Sequence, residues 1–255
     1  MKRKNWSRQE LLVALKVYCE LDFGQFHSKN PRIVEVAALL NRTPGALAMK
    51  LGNFASLDPA MMGKGLKSVS EADRVLIETF LKVPEETIIE SENAYAELVS
   101  PDIHPYGFSE EAAPFYVPDT QTEKMSLVKT RMLQTFFRNT VVSSYKNHCA
   151  VCETNVPELL IASHIIPWSK DEKLRLLPTN GICLCASHDR AFDRGLISIE
   201  DDYKISLSQR LKKFQNNKYV DLMFFRFNNQ SMKLPFRFLP DKSNLDWHRK
   251  NVFQR

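Results

Sequence analysis

The chain has 255 residues, enough for one large domain or for two ordinary domains of about 100–200 residues each. Apolar residues make up 44% of it and charged residues 25%, a globular composition that excludes wholesale disorder. The net charge of +5 is compatible with a polyanionic partner but does not by itself establish one.

The apolar runs of the chain are short and interrupted by charged residues, so we expect no membrane-spanning helix. The basic start, MKRKNWSRQE, is not followed by the apolar core of a signal peptide, which predicts a cytoplasmic protein. Five cysteines in such a chain favour metal binding or free thiols over a disulfide framework. Four of them lie between residues 149 and 185, whereas Cys19 falls on the apolar face of a predicted helix, where we expect it in the core.

Residues 1–83 are predicted to form a helical domain. The first predicted helix, WSRQELLVALKVYCEL, begins with residues at the spacing of a capping box. Two short helices joined by a tight turn are predicted next, in PRIVEVAALL and PGALAMKLGNF, and this arrangement resembles a helix-turn-helix. In that interpretation Lys50 and Asn53 lie on the outer face of the second helix, where they could contact DNA. The alternative is a helical hairpin whose polar face only meets water.

The stretch 84–122 carries many prolines and acids with little periodicity, and we interpret it as a linker or arm. A helical pattern resumes at EKMSLVKTRMLQTFFRNTVVSSY and opens a last predicted domain, residues 123–255. The organisation is therefore two domains and a connecting segment.

Two short ligand pairs in the last domain have the spacing of a zinc site. CAVC contributes Cys149 and Cys152, and CASH contributes Cys185 and His188, with the same two-residue gap in each pair. Three thiolates and an imidazole make a tetrahedral set that suits structural Zn²⁺. The alternative is a group of buried cysteines beside a surface histidine.

The sequence between and after these pairs predicts a strand, a polar loop, a second strand and a helix. The segments are LLIASHII, NGICLC and HDRAFDRGL, with a histidine on the first strand and acids at the helix start. This layout suits attack on a phosphodiester by water, with a histidine base and a divalent cation.

These motifs resemble the HNH endonucleases, which have the ββα-metal fold. The resemblance rests on the segments SHIIPW, NGICLC and HDRAFDRGLISI. The last part of the chain also resembles the terminal segment of the bacterial restriction-type branch, in LPFRFLPDKSNLDWHRKNVF. The similar region spans roughly residues 125–255. The implied fold class is α+β, with a helical N-terminal domain followed by an HNH nuclease domain with a structural zinc.

The resemblance implies a role for several residues. His164 takes the position of the general base, Asn180 the position that ties the loop to the strands, and Asp189 the position that holds catalytic Mg²⁺ or Mn²⁺. The resemblance also implies that the structural Zn²⁺ is bound by Cys149, Cys152, Cys185 and His188. The neighbours His188 and Asp189 would then bind two different ions.

The sequence departs from the family at one position. Many relatives have an aspartate immediately before the base as a second metal ligand, whereas this chain has Ser163, a poorer ligand for a hard cation. Asp193, four residues after Asp189, could supply that ligand, or it could pair with Arg190 or Arg194 on the helix surface. The two arginines are also candidate contacts to DNA.

The resulting hypothesis is a metal-dependent DNA endonuclease of a restriction or phage-defence system. It would cut double-stranded DNA as a homodimer and leave 5′-phosphate and 3′-hydroxyl ends. Basic residues outside the site, among them Arg210, Lys212 and Lys213, are candidates for phosphate contacts. Two alternatives stay open, a modification-dependent nuclease and a catalytically inactive, zinc-stabilised DNA-binding protein.

Overall fold

The structure is a computed structural model that describes residues 5–58, 69–99 and 121–254. The chain divides into two compact units. The N-terminal unit consists of Met1–Leu57 and Gly63–Phe136, and the C-terminal unit of Asp58–Met62 and Phe137–Arg255. No helix in the described ranges is both long and apolar enough to cross a bilayer.

The N-terminal unit is helical, as predicted. Its helices begin where the sequence supplies caps: Ser7 and Glu10 form a capping box, the Asn30 side chain accepts from two backbone amides, and Ser70 and Asp73 form a second capping box. The elements are α1 (Arg8–Glu20), α2 (Pro31–Leu39), α3 (Pro44–Leu57), α4 (Glu71–Lys82), α5 (Pro84–Val99) and α6 (Gln121–Ser144), whose last residues belong to the C-terminal unit.

The core of this unit forms around α1, which packs on α5 and α3. Leu15, Val17 and Tyr18 are almost fully buried, and Cys19 is 1% exposed. The predicted core position of Cys19 is therefore confirmed.

Helix α3 does not present Lys50 to solvent. The sequence predicted this lysine on an outer, DNA-contacting face, which is wrong: its Nζ lies 2.7 Å from Asp73 Oδ1, and the residue is 6% exposed. Asn53 Nδ2 also approaches Asp73, at 3.5 Å. The reason is that α4 packs on α3 and covers the face of α3 that would be exposed to solvent if only α2 and α3 were present. The helix-turn-helix remains a prediction.

Helix α5 occupies the beginning of the predicted linker. Pro84 is its first residue, a position that tolerates proline because the first amide of a helix has no partner within it. Ile88, Ser91 and Ala94 are buried, and Ser91 Oγ donates to the Leu12 carbonyl of α1 at 2.8 Å. Residues 84–99 are therefore helical rather than a linker. Residues 100–120 lie outside the described residues, and the domain boundaries remain predictions.

The C-terminal unit contains the predicted order of strand, loop, strand and helix. β1 and β2 pair antiparallel with His164 opposite Gly181, and α7 packs on both strands and on β3. A second antiparallel hairpin, β3–β4, and three further helices follow. The elements are β1 (Leu160–His164), β2 (Gly181–Cys185), α7 (Ala186–Asp193), β3 (Ile197–Ile199), β4 (Ile205–Leu207), α8 (Gln209–Lys212), α9 (Lys218–Met223) and α10 (Lys242–Asn251).

Candidate active site and metal centre

The four predicted zinc ligands converge in space. The ligand atoms of Cys149, Cys152, Cys185 and His188 all lie within 4.8 Å of one another. Cys152 Sγ is 3.8 Å from Cys185 Sγ, and Cys149 Sγ is 3.7 Å from His188 Nδ1. A Zn–S bond of about 2.3 Å gives tetrahedral ligand–ligand distances of about 3.8 Å. The cluster therefore fits a four-coordinate zinc ion.

Hydrogen bonds with the surrounding backbone orient this cluster. His188 Nε2 donates to the Met223 carbonyl at 2.6 Å, which leaves Nδ1 facing the sulfurs. The amide of Ala150 donates to the Cys183 carbonyl of β2 and joins the first ligand pair to the sheet. Contacts with Cys149 and Cys185 lower the pKa of the Cys152 thiol, which is the direction that favours a thiolate ligand.

The neighbours His188 and Asp189 have different environments at the start of α7. His188 is fully buried among the zinc ligands. Asp189 is half-buried. Burial raises the pKa of its carboxyl, and the Ser163 hydroxyl, the charge of Arg190 and the neighbouring His164 lower it by a smaller amount. Two consecutive residues thus lie in two separate environments.

His164, at the end of β1, is held by three contacts. Its Nε2 lies 2.9 Å from the carbonyl oxygen of Arg175, and a carbonyl only accepts, so Nε2 carries the proton. Its ring stacks on Phe137 at a centroid distance of 4.1 Å and meets Trp168 edge-on at 5.6 Å. Burial lowers the pKa of His164, whereas the Arg175 carbonyl and the charge of Asp189 raise it. The neutral ring therefore keeps an unprotonated Nδ1.

Asn180 fixes the loop that contributes the Arg175 carbonyl. Its buried side chain accepts from the Ile166 amide through Oδ1 at 3.0 Å. Its Nδ2 donates to the carbonyls of Ile166 at 3.0 Å and Leu174 at 3.3 Å. The geometry predicted for Asn180, a tie between loop and strands, is present.

An oxygen-rich site lies beside His164. Ser163 Oγ is buried and, among the described residues, has no hydrogen bond of normal geometry, although it is close enough to Asp189 to lower the pKa of that carboxyl. Burial raises the pKa of Asp193, and the negative charge of Asp189 raises it further. No ion pair with Lys or Arg involves either aspartate in the described part of the unit. Two carboxylates and an unsatisfied hydroxyl suit a hard divalent cation.

A pocket of about 310 Å³ opens in front of His164. Asp193 lines it together with Arg190 and Arg194, two exposed arginines that form no ion pair within the described residues. The remaining lining residues are Ile165, Pro167, His248 and Val252. The pocket therefore brings an imidazole, a carboxylate and two guanidinium groups to one surface.

Residues 149–200 match the family model of the HNH endonucleases. The chain contains an HNH endonuclease domain. The matched segment begins at the first zinc ligand and includes β1, β2, α7 and β3. The predicted family resemblance is thereby confirmed for this part of the chain.

Among solved structures, this chain is similar to one titled "Modification dependent TagI restriction endonuclease". The identity is 19% and the TM-score 0.30, and the match covers 46% of this chain and 37% of that one. The chain thus spans about a third of the length of that protein. No curated protein matches the chain.

Sequence reasoning did not identify some residues that shape the HNH site. Phe137 stacks on His164 from 27 positions upstream, and Gly181 leaves room for that ring, because a Cβ there would lie 2.9 Å from Phe137 Cζ. His248 stacks on Phe192 at 3.7 Å and donates to its carbonyl from Nε2 at 3.0 Å. The sequence feature that could have identified His248 is its position in DWHRKNVF, within the segment that resembles the family terminus.

Proposed function

We propose that this chain is a metal-dependent DNA endonuclease in which His164 is the general base and Asp189 holds a divalent cation. The observation that carries the proposal is the fixed ring of His164 on the wall of a pocket that also contains Asp193, Arg190 and Arg194. The family match to HNH endonucleases supports the reaction class.

His164 takes a proton from water through Nδ1. The Arg175 carbonyl keeps the proton on Nε2, and the stacked ring of Phe137 limits rotation, so that the basic nitrogen stays in one orientation. Burial lowers the pKa of His164, which keeps the ring neutral and able to accept a proton at pH 7. The hydroxide formed attacks phosphorus.

Asp189 would hold Mg²⁺ or Mn²⁺, with Asp193 or Ser163 as the second protein ligand. Their fit rests on the unsatisfied Ser163 hydroxyl and on two carboxylates whose pKa burial raises. When bound, the cation neutralises charge on the scissile phosphate and on the departing 3′ oxygen. The expected products carry 5′-phosphate and 3′-hydroxyl ends.

Arg190 and Arg194 bind the phosphate backbone at the pocket. Arg190 in α7 and Arg194 at its C-cap are four residues apart and both line the pocket, and their guanidinium groups suit bidentate contact to phosphate oxygens. The zinc cluster fixes the turn that precedes Asp189, since His188 is both a zinc ligand and its neighbour. Zinc thus supports the site without taking part in the reaction.

We further propose that the substrate is double-stranded DNA and that the role is restriction or phage defence. One HNH site cuts one strand, so a double-strand break by this chain requires two copies, and a homodimer is expected. Ser163, in place of the second carboxylate, favours one competing function, a zinc-stabilised protein that binds DNA without cutting it.

Cleavage of DNAs in different modification states tests the proposal. Unmodified, methylated and glucosylated phage DNA would be incubated with zinc-loaded protein and Mg²⁺ or Mn²⁺, and the ends sequenced. Cleavage that leaves 5′-phosphates is expected, and a requirement for one modification would identify a modification-dependent nuclease. Binding of DNA with no cleavage of any substrate would favour the inactive DNA-binding protein.

A further inference from the structure

The positive charge of this chain is concentrated in the C-terminal unit. The C-terminal unit contains 19 Lys and Arg against 13 Asp and Glu, whereas the N-terminal unit contains 16 against 17. The N-terminal cations also pair within their own unit, as Arg42 does with Glu10 and Lys50 with Asp73. Attraction to a polyanion therefore originates mainly in the C-terminal unit.

One exposed segment of that unit carries cations without acids. The segment 209–219, from the start of α8 into α9, contains Arg210, Lys212, Lys213 and Lys218 and no Asp or Glu. Residues 212–219 are all exposed, and within the described part of the chain none of these four cations forms an ion pair. We refer to residues 209–219 as the basic segment.

Three other exposed lysines of the unit differ in this respect. Lys204 pairs with Asp202, Lys233 pairs with Glu153 at 3.2 Å, and Lys250 pairs with Asp246 at 2.6 Å. A local acid already offsets each of those charges. Only a cation without such a partner offers its full charge to a ligand, which distinguishes the basic segment from these three lysines.

The basic segment runs beside α7 from the pocket toward the zinc cluster. At the pocket end, Gln254 Nε2 donates to the Arg194 carbonyl at 2.9 Å, and its Oε1 accepts from Arg210 Nη1 at 3.4 Å. At the other end, the hydroxyls of Tyr219 and Ser187 lie 2.7 Å apart. The eight residues of α7 rise about 12 Å, so the segment continues the positive surface of the pocket over that distance.

We propose that the basic segment is a second contact surface for the backbone of duplex DNA, next to the cleavage site. This inference rests on the proposed nuclease function. Each strand of B-DNA carries one charge per about 3.4 Å of helix axis, so a path of about 12 Å passes three or four phosphates of one strand. That number matches the lysines Lys212, Lys213 and Lys218. The pocket arginines hold the phosphate that reacts, and the basic segment holds its neighbours.

The salt dependence of DNA binding tests this surface. In the full chain with His164→Ala, which slows cleavage, we would compare K212A/K213A/K218A with a matched control, K204A/K233A/K250A, that removes the same charge from acid-paired lysines. Affinity for a short blunt duplex would be measured over a range of NaCl concentrations. The slope of log K against log[salt] is negative, and its magnitude should decrease by about 0.9 for each lost phosphate contact in the first variant and stay unchanged in the control.

Equal slopes for the two triple variants would overturn the inference, because the effect would then reflect net charge alone. A change in sedimentation of the first variant without a change in slope would also overturn it and would assign the surface to a second copy of the chain. If the parent chain cleaves DNA but the slope is unchanged in K212A/K213A/K218A, only this inference is refuted. Failure of the parent chain to bind duplex at all would refute the proposed function too.

Discussion

The Nε2 of His164 lies 2.9 Å from the carbonyl oxygen of Arg175, eleven residues further along the chain. This contact determines which ring nitrogen carries the proton and leaves Nδ1 as the basic atom. The carbonyl belongs to a loop that Asn180 holds through three side-chain hydrogen bonds. The orientation of the proposed base therefore depends on a buried amide that does not contact the substrate pocket.

Zinc removal should unfold the C-terminal unit. Structural zinc sites contribute on the order of 10–16 kcal/mol to folding, and here the cluster joins residues 149–152 to the end of β2 and the start of α7. Metal analysis should find one zinc per chain. Cys152→Ser should lower both the zinc content and the melting temperature, and Cys183→Ser, at a buried cysteine outside the cluster, serves as the control. Full zinc occupancy in the Cys152 variant would contradict the assignment.

Substitution of the aspartates should identify the second ligand of the catalytic cation. Asp189→Asn should abolish cleavage at any Mg²⁺ concentration, because it removes the main ligand. Asp193→Asn should raise the Mg²⁺ concentration needed for half-maximal cleavage, if Asp193 takes the place of the aspartate that Ser163 replaces. An unchanged requirement for Mg²⁺ in Asp193→Asn would show that Asp193 does not bind the cation and would favour its pairing with Arg190 or Arg194.

Gly181→Ala should impair both stability and cleavage. A Cβ at this position would lie 2.5 Å from Val141 Cγ2 and 2.9 Å from Phe137 Cζ, so the ring under His164 has to move. Overpacking of this kind costs about 1–3 kcal/mol. Gly45→Ala is the matched control, since a Cβ there meets nothing within 4 Å. Loss of activity by Gly45→Ala to the same extent would contradict this explanation.

His248 should make the stability of the C-terminal unit sensitive to acid. Burial lowers its pKa to about 4 from the ordinary 6.5, so the folded state favours the neutral ring. The stabilisation is complete above pH 6.5 and is lost as the pH falls from 6.5 toward 4, by up to about 3 kcal/mol in total.

The measurement for His248 is the free energy of unfolding at pH 7 and pH 5 in the parent chain and in His248→Gln. The parent should lose about 2 kcal/mol more than the variant over this interval, because the variant has no group to protonate there. Protonation of the zinc ligands affects both chains alike. An equal loss in the two chains would show that His248 titrates normally.

The sequence predicted the elements that depend on local spacing. The strand, loop, strand and helix are present, and the four zinc ligands converge, because ligand pairs two residues apart need only a tight turn. Contacts between distant residues were not predictable. Asp73 lies 23 positions from Lys50 and takes it out of solvent, and His164 stacks on a phenylalanine of α6.

Helix α5 shows a second limit of sequence reasoning. The prolines and acids after residue 84 predicted a linker, but Pro84 begins the helix, where its missing amide costs nothing. The helix then forms because it can bury Ile88 and Ser91 against α1. Packing against another element, rather than local propensity, determined this outcome.

Nicking of supercoiled plasmid by the parent chain and by His164→Ala tests the central claim most directly. The parent should relax the plasmid only when Mg²⁺ or Mn²⁺ is added. The variant should cut about 10²–10⁴ times more slowly while it binds the same DNA with unchanged affinity. Cutting by His164→Ala at the rate of the parent would contradict the assignment of His164 as the base.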